Sequence, residues 1–443
     1  MTRYHAIVMW AIAAVALVAI AVWPTFVRHS EDAARAASLP TAAPVTADYL
    51  DRDKTIAFWE RMVGKHIFDD MLSPRQLSGQ YLQRFRERGD IGDVLRARRM
   101  AELSLKAQPR GNVGAEVMLA SVELTLHQFK AAFAETKRIE RIDPADPQMA
   151  IREASLDLEL GDYAAAERII DTLPPAQAND VARETLVSRY YELTGRLSEA
   201  REEIERATAE QNASFEASAQ QRAWFFFRSG EMAFEAGDND EALADEDRAL
   251  AIFPNYADAN RLKAKFACAL KRWSECLEAA SASAAVVPYP ETLGYEVDAE
   301  RALGNAAEAG RIADTIVTIE KIGNAQHISD RLLAIYYSEH GTRTADAYAI
   351  AKRELLARDD IFTEDTLAWA AAMDGRWAEA RTASRKALRY ETENSLLQYH
   401  GAIIALHFGD REQAKRRLER ALALNPSFHQ TYADDARTQL ARL

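Results

Sequence analysis

The residues able to do chemistry in this chain are scattered. Nine histidines stand at His5, His29, His66, His127, His327, His340, His400, His407 and His429. His400 and His407, seven residues or almost two helical turns apart, would share a helix face. A metal site needs a further ligand, and none follows at a telling distance, so both read as structural or surface histidines. The adjacent carboxylates Asp69-Asp70, Asp359-Asp360 and Asp434-Asp435 would suit glycosidase or divalent-ion chemistry only if they faced each other. Neighbours on a helix do not, and at helix breaks such acids cap amides. Cys268 and Cys276, eight apart and in no CxxC pair, leave a local disulfide open beside the simpler reading of two buried thiols. The chain carries no GxxxxGK, GxGxxG, HExxH or GxSxG signature and no EF-hand loop. No catalytic, cofactor-binding or metal residue is therefore expected, and the chain reads as a non-enzyme without a cofactor.

The elements around these residues look helical. Of 443 residues, 48% are hydrophobic and 28% charged, with only 18 glycines and 13 prolines, which suits long alanine-rich helices. A net charge of -13 argues against holding a phosphate backbone, so no nucleic-acid partner is expected. Residues 6–23, AIVMWAIAAVALVAIAVW, are apolar without interruption; as a helix they reach about 27 Å, near the thickness of a bilayer's hydrocarbon. After a short tail at 1–5, residues 6–27 are expected to form a transmembrane helix or uncleaved signal anchor, with a cleaved signal peptide as the alternative. Arg3 precedes the run, while Arg28 and Arg35 follow it among Glu31 and Asp32. The short leading tail and the lack of a basic cluster after the run favour a cytoplasmic N-terminus and an exported body. Residues 28–47, nearly free of large apolar side chains, read as a flexible tether.

A longer-range order then emerges. Ala368, Gly375, Ala380 and Ala387 each stand 34 residues before Ala402, Gly409, Ala414 and Ala421. Pro109, Pro144, Pro254, Pro288 and Pro426 end successive stretches, and small residues recur at Ala97, Ala132, Ala166, Ala200, Ala242 and Ala309. Helical periodicity alone does not produce such a period, so it defines a unit. Within SLLQYHGAIIALHFGD, Leu396, Leu397, Ile403, Ile404 and Leu406 crowd one helix; in REQAKRRLERALALNP, Ala414, Leu418, Ala421 and Leu422 mark the buried stripe of a second. Gly409-Asp410 supplies the reversal between them. Such a hairpin cannot bury its stripe alone and needs neighbours.

The pattern resembles the tetratricopeptide repeat family. That resemblance implies an all-α superhelical solenoid of about ten helical hairpins over residues 78–428, behind the N-terminal transmembrane helix. Units would begin near Ser78, Val113, Pro147, Val181, Ala223, Ala257, Pro290, His327, Ile361 and Ser395. The family's early tryptophan is generally missing, the His327 unit needs slack after Gly341, and QNASFEAS separates two units. Residues 48–77 are expected to form an N-terminal packing helix and residues 429–443 a C-terminal capping helix.

In the family, the first helix of each hairpin lines a concave groove through its second, fifth, ninth, twelfth and thirteenth positions. The resemblance thus implies a protein-binding groove at Trp224, Phe227, Glu231, Phe234, Asp258, Arg261 and Lys265. A second, C-terminal stretch with Phe362, Asp365, Trp369, Met373, Leu396, Tyr399, Ile403 and His407 would hold a partner or the chain's own cap. The fifth or ninth places also hold Arg86, Arg189 and Arg331, without the asparagines that complete the family's peptide-carboxylate clamp. Arg84, Arg86, Arg88, Arg96, Arg98 and Arg99 cluster in the first unit and would suit anionic lipid. The expected function is a membrane-anchored scaffold or adaptor for a protein or peptide client, in a bacterial envelope assembly, secretion or polysaccharide-export complex. The body would be periplasmic on a single-pass inner-membrane anchor, or cleaved and periplasmic. A non-catalytic regulatory subunit of a membrane-associated enzyme is the alternative.

Overall fold

The computed structural model describes residues 51–142, 146–173, 180–214, 216–325 and 331–443, residues 322–325 by backbone only. The expected tail, apolar span and tether lie outside the described residues. Among those described, no helix is long and apolar enough to cross a membrane.

After α1 (Arg52–Val63) the chain runs as hairpins of paired helices. The first four are α2 (Leu72–Arg88) with α3 (Ile91–Ala107), α4 (Val113–Thr125) with α5 (Phe129–Glu140), α6 (Pro147–Leu160) with α7 (Tyr163–Ile170), and α8 (Val181–Leu193) with α9 (Leu197–Ala213). Three follow as α10 (Ala219–Glu235) with α11 (Asn239–Ile252), α12 (Ala257–Ala269) with α13 (Trp273–Val286), and α14 (Pro290–Ala302) with α15 (Ala306–Ala325). The last three are α16 (Arg331–Glu339) with α17 (Thr344–Ala357), α18 (Ile361–Met373) with α19 (Trp377–Ala387), and α20 (Ser395–His407) with α21 (Arg411–Leu424). Helix α22 (Tyr432–Arg442) closes the chain. Each helix packs on its hairpin partner and on the next hairpin, giving an all-α solenoid.

Local chemistry sets the helix starts. Asp90, Asp146 and Asp162 turn a carboxylate onto the amides of the helix they precede, as an N-cap should. Asp70 accepts the Leu72 and Ser73 amides at 3.1 and 2.9 Å, so α2 starts at Leu72, six residues before the expected unit start at Ser78. Ser218 and Gln221 form a reciprocal capping box, which starts α10 at Ala219, ahead of Ala223. In the unit expected near His327, the described helix begins at Arg331.

The small recurring residues Ala97, Ala132, Ala166, Ala200, Ala242, Ala309, Ala380 and Ala414 are all at most 1% exposed. The corresponding residue of the α12–α13 hairpin is Cys276, which is disulfide-bonded to Cys268 across the two helices. The sequence had favoured two free buried thiols; the hairpin instead holds them within bonding reach.

An acid–base pair recurs in three of the hairpins. The fourth residue of three units is Glu116, Glu184 or Glu364, and a base twenty-two residues later reaches it: Arg138 at 3.3 Å, Arg206 at 3.9 Å and Lys386 at 2.5 Å. Each acid is nearly fully buried.

The solenoid also winds back onto itself. The α6–α7 turn meets the strand of chain before α18: the Ile361 amide donates to Tyr163 Oη at 3.0 Å, and Arg358 reaches Glu159 at 2.9 Å. One hairpin on, Thr392 Oγ1 donates to the Leu193 carbonyl at 2.7 Å. The next α10–α11 turn receives Asn425, whose Nδ2 donates to the Phe234 carbonyl at 2.7 Å. Lys271, in the α12–α13 turn, pairs with Asp434 of α22 at 2.5 Å. Successive turns thus dock on successive linkers about six hairpins later, and the concave face becomes the wall of an axial channel.

Candidate functional site

The channel contains a partly open cavity of ≈ 200 Å³. Its wall is drawn from the first helices of seven consecutive hairpins: Arg189 and Glu192 of α8, Trp224, Phe227, Glu231 and Glu235 of α10, and Asp258, Arg261 and Lys265 of α12. Opposite stand Glu291 and Tyr295 of α14, Arg331 and Glu339 of α16, Phe362, Asp365 and Trp369 of α18, and Leu396 and His400 of α20. Arg358 joins from the linker before α18, and Phe428, His429 and Gln430 from the C-terminal segment. The two grooves read separately from the sequence therefore meet in one cavity, because the superhelix brings α10 and α18 across the same axis.

Eight of the ten groove residues inferred from the sequence lie on this wall: Trp224, Phe227, Glu231, Asp258, Arg261, Lys265, Phe362 and Trp369. Phe234 and Tyr399 do not. Phe234 is 1% exposed and stacks on Phe266 at 4.4 Å, because α12 crosses the C-terminal end of α10 there. Tyr399 is 3% exposed under the chain's own C-terminal segment, stacked on Tyr432 at 4.8 Å with its hydroxyl donating to Asp435 at 2.7 Å. His429 also stacks on Tyr432, and Gln430 donates to Asp298, so this segment packs across the first helices and adds Phe428, His429 and Gln430 to the cavity wall. Of the other C-terminal residues, Asp365 and Leu396 line the cavity, while His407 stacks on Trp377 instead.

The wall is charged, and most of its charged side chains meet a partner within it. Arg189 and Arg228 both bind Glu192, at 2.8 and 2.7 Å. Arg261 reaches Glu291 at 2.9 Å, Arg358 reaches Asp360 at 2.5 Å, and Lys265 lies 3.9 Å from Glu235. His400 faces Asp365 at 2.9 Å, and His429 faces Glu339 at 3.9 Å. Burial would raise the Glu291 carboxyl, but Arg261 and Lys265 beside it win and hold it below the usual value. At Glu235 burial wins over Lys265 and pushes the carboxyl up to about 7. Arg331 is lowered by burial and by the facing Arg358.

Sequence reasoning missed Glu235, Glu291, Tyr295 and Glu339 as wall residues. The repeat positions could have found some of them, since Glu235 and Glu339 occupy thirteenth places and Glu291 a second. No repeat position marks Arg358 or the segment Phe428–Gln430, which come from linkers. The first-unit arginines do not form one free patch: Arg84 and Arg96 bind Asp93, Arg88 binds Asp53, and Arg98 donates to Gln128. Among the described residues no group of three or more His, Cys, Asp or Glu side chains is placed to hold a metal ion.

Fold and cavity together define a helical-hairpin solenoid with a partly open cavity lined by the first helices of its hairpins. No family model matches the chain, and no curated protein is similar to it. Three solved structures that resemble it do so at 12% identity. Cut9 in the APC/C hetero-tetramer Cut9–Hcn1 covers 88% of this chain and 94% of its own at a TM-score of 0.32. Yeast Tom70 covers 88% and 93% at 0.35, and human IFIT1, in its dimer with PPP-AAAA, 84% and 87% at 0.43. Scores this low leave the character of the channel to be read from its own residues.

Proposed function

We propose that the chain is a tetratricopeptide-type scaffold, anchored in a membrane by residues 6–27, that holds a protein or peptide client through its axial channel and catalyses nothing itself. The observation that carries this reading is the wall itself: Trp224, Phe227, Phe362 and Trp369 stand among charged side chains around one cavity. Aromatic anchors ringed by polar groups are what a groove for an extended segment needs. The setting is a bacterial envelope complex for assembly, secretion or polysaccharide export, with the body in the periplasm. The Cys268–Cys276 bond supports that placement, since disulfides persist in oxidising compartments. As a non-catalytic regulatory subunit the chain would use the same channel, its client then being an enzyme.

The test is capture from gently solubilised membranes by the full-length chain, compared with a Trp224→Ala/Phe227→Ala variant whose helicity is checked by circular dichroism. The expected outcome is a partner lost only with the variant. An unchanged partner set on a folded variant would remove the channel from the function.

A further inference from the structure

The exposed large apolar side chains are unevenly spread. Of the eleven among the described residues, six fall between 58 and 103, in α1, the loop after it and the first hairpin: Phe58, Ile67, Phe68, Leu72, Leu95 and Leu103. Phe68 is the extreme, at 89% exposure. Single exposed apolar residues need no explanation, but a group of them marks a contact surface. Solenoid ends usually carry a polar outer face, and at the other end α22 exposes no large apolar side chain.

The corner between α1 and α2 is shaped to present these side chains. His66 (φ 48) and Asp69 (φ 54) hold left-handed backbone on either side of Ile67-Phe68, a conformation uncommon outside glycine. Ser104 Oγ of α3 donates to the Met71 carbonyl at 2.6 Å, which brings the turn of α3 bearing Leu103 against the same loop. Arg61, Lys65 and Asp69 are exposed around it and leave little net charge. Arg84, Arg88 and Arg96 are already engaged by Asp93 and Asp53, so apolar contact rather than charge must carry any docking here.

What covers such a corner follows from the chain that precedes it. Residues 6–23 are the uninterrupted apolar run, and residues 28–47 read as a tether; a flexible tether of that length keeps its ends on the order of 25 Å apart. A bilayer holding the run therefore lies within reach of α1, which starts at Arg52. We propose that the α1–α2 corner docks on that bilayer, with Ile67 and Phe68 entering the boundary between headgroups and acyl chains. The anchor keeps the local lipid concentration high, so even a shallow insertion is well populated. This rests on reading residues 6–27 as a membrane anchor and adds a second contact, which sets how the solenoid stands on the membrane.

The experiment reconstitutes the full-length chain in phosphatidylcholine vesicles that carry nitroxide-labelled acyl chains. The two native cysteines are bonded to each other, so Ile67→Cys supplies a single free thiol for a bimane probe. Phe408→Cys, between α20 and α21 and 41% exposed, supplies the control position. The probe at 67 is expected to be quenched by the lipid nitroxide, and the probe at 408 is not. Phe68→Ser, with helicity checked by circular dichroism, should lower the ratio of docked to free corner about tenfold, and Phe68→Leu should keep most of it. No quenching at 67, quenching that ignores Phe68→Ser, or equal quenching at both positions overturns the proposal. So does blue-shifted emission at 67 that the lipid nitroxide does not quench, since a second copy or the chain's own residues would then cover the corner. Alkaline extraction tests the anchor separately. A chain that resists extraction without quenching at 67 keeps the anchored-scaffold reading and loses this inference; one that is extracted yet quenched at 67 loses the anchor and keeps the docking surface.

Discussion

Glu246 shows how a single side chain can work against its own fold. It lies on α11 with 0% exposure, neither carboxylate oxygen has a hydrogen-bond partner, and its Oε1 occupies the space beside Gly230 that a Cβ would need. Burial, then the nearby Glu231 and Asp245, push its pKa well above the ordinary carboxylate value. An acid raised in the folded state is fully tolerated below its unfolded pKa and costs more as pH rises through the folded value. Replacing it with an unbranched apolar residue removes that cost. Glu246→Met is expected to stabilise the protein by about 1–3 kcal/mol at pH 8, and by nearly nothing at pH 4. Urea unfolding at both pH values measures the difference; an equal gain at both would mean that packing rather than charge is responsible.

At the level of the hairpin, the recurring acid–base pair buries an ionic contact between the two helices of a unit. Glu364 is 1% exposed and is pushed up to about 7, by burial first and then by Asp359, despite Lys386 at 2.5 Å. The base therefore serves mainly to make a buried acid tolerable. Lys386→Met alone is expected to lower stability by about 1–3 kcal/mol at pH 8, where the orphaned acid must ionise or hold a proton. Glu364→Leu together with Lys386→Met should recover most of that loss. Urea midpoints of the single and double variants check this, and a double variant no better than the single one would show that the ion pair is itself stabilising. The hairpins were legible in the sequence because glycine turns, packing alanines and end prolines recur at fixed offsets that each unit must satisfy on its own. The pairs were not read, because they link residues twenty-two apart across two helices and show only once the unit is aligned in three dimensions. Of the expected groove positions, Trp224 and Arg261 line the cavity amid their own and adjacent hairpins, and Trp369 lines it while packed against Tyr432 of the C-terminal segment. Phe234 and Tyr399 are covered by the neighbouring helix and by the C-terminal segment, and a repeat register does not encode the latter.

The closure of the superhelix was the least legible feature, because its pitch sums small rotations over all the hairpin interfaces and no residue spells it out. Its contacts nevertheless fall on particular glycines. Gly161 has φ +87, and a Cβ there would lie 1.9 Å from the Asp359 carbonyl oxygen of the docked linker. Gly409 has nearly the same backbone, φ +74, with nothing within 4 Å of the same position. Alanine at either site bears the left-handed strain, about 1 kcal/mol, but only at Gly161 must it also displace backbone of another turn of the superhelix. Gly161→Ala should therefore cost about 3 kcal/mol or more, against about 1 kcal/mol for Gly409→Ala. It should also loosen the bond between the α6–α7 turn and the linker that carries Arg358 into the cavity wall. Thermal unfolding separates the two costs, and small-angle scattering reads the consequence as a larger radius of gyration for Gly161→Ala alone. If both variants lose the same stability and keep the wild-type radius, the contact between turns is incidental. The channel would then take its shape from neighbouring hairpins only, and a client would need no opening of the superhelix to enter it.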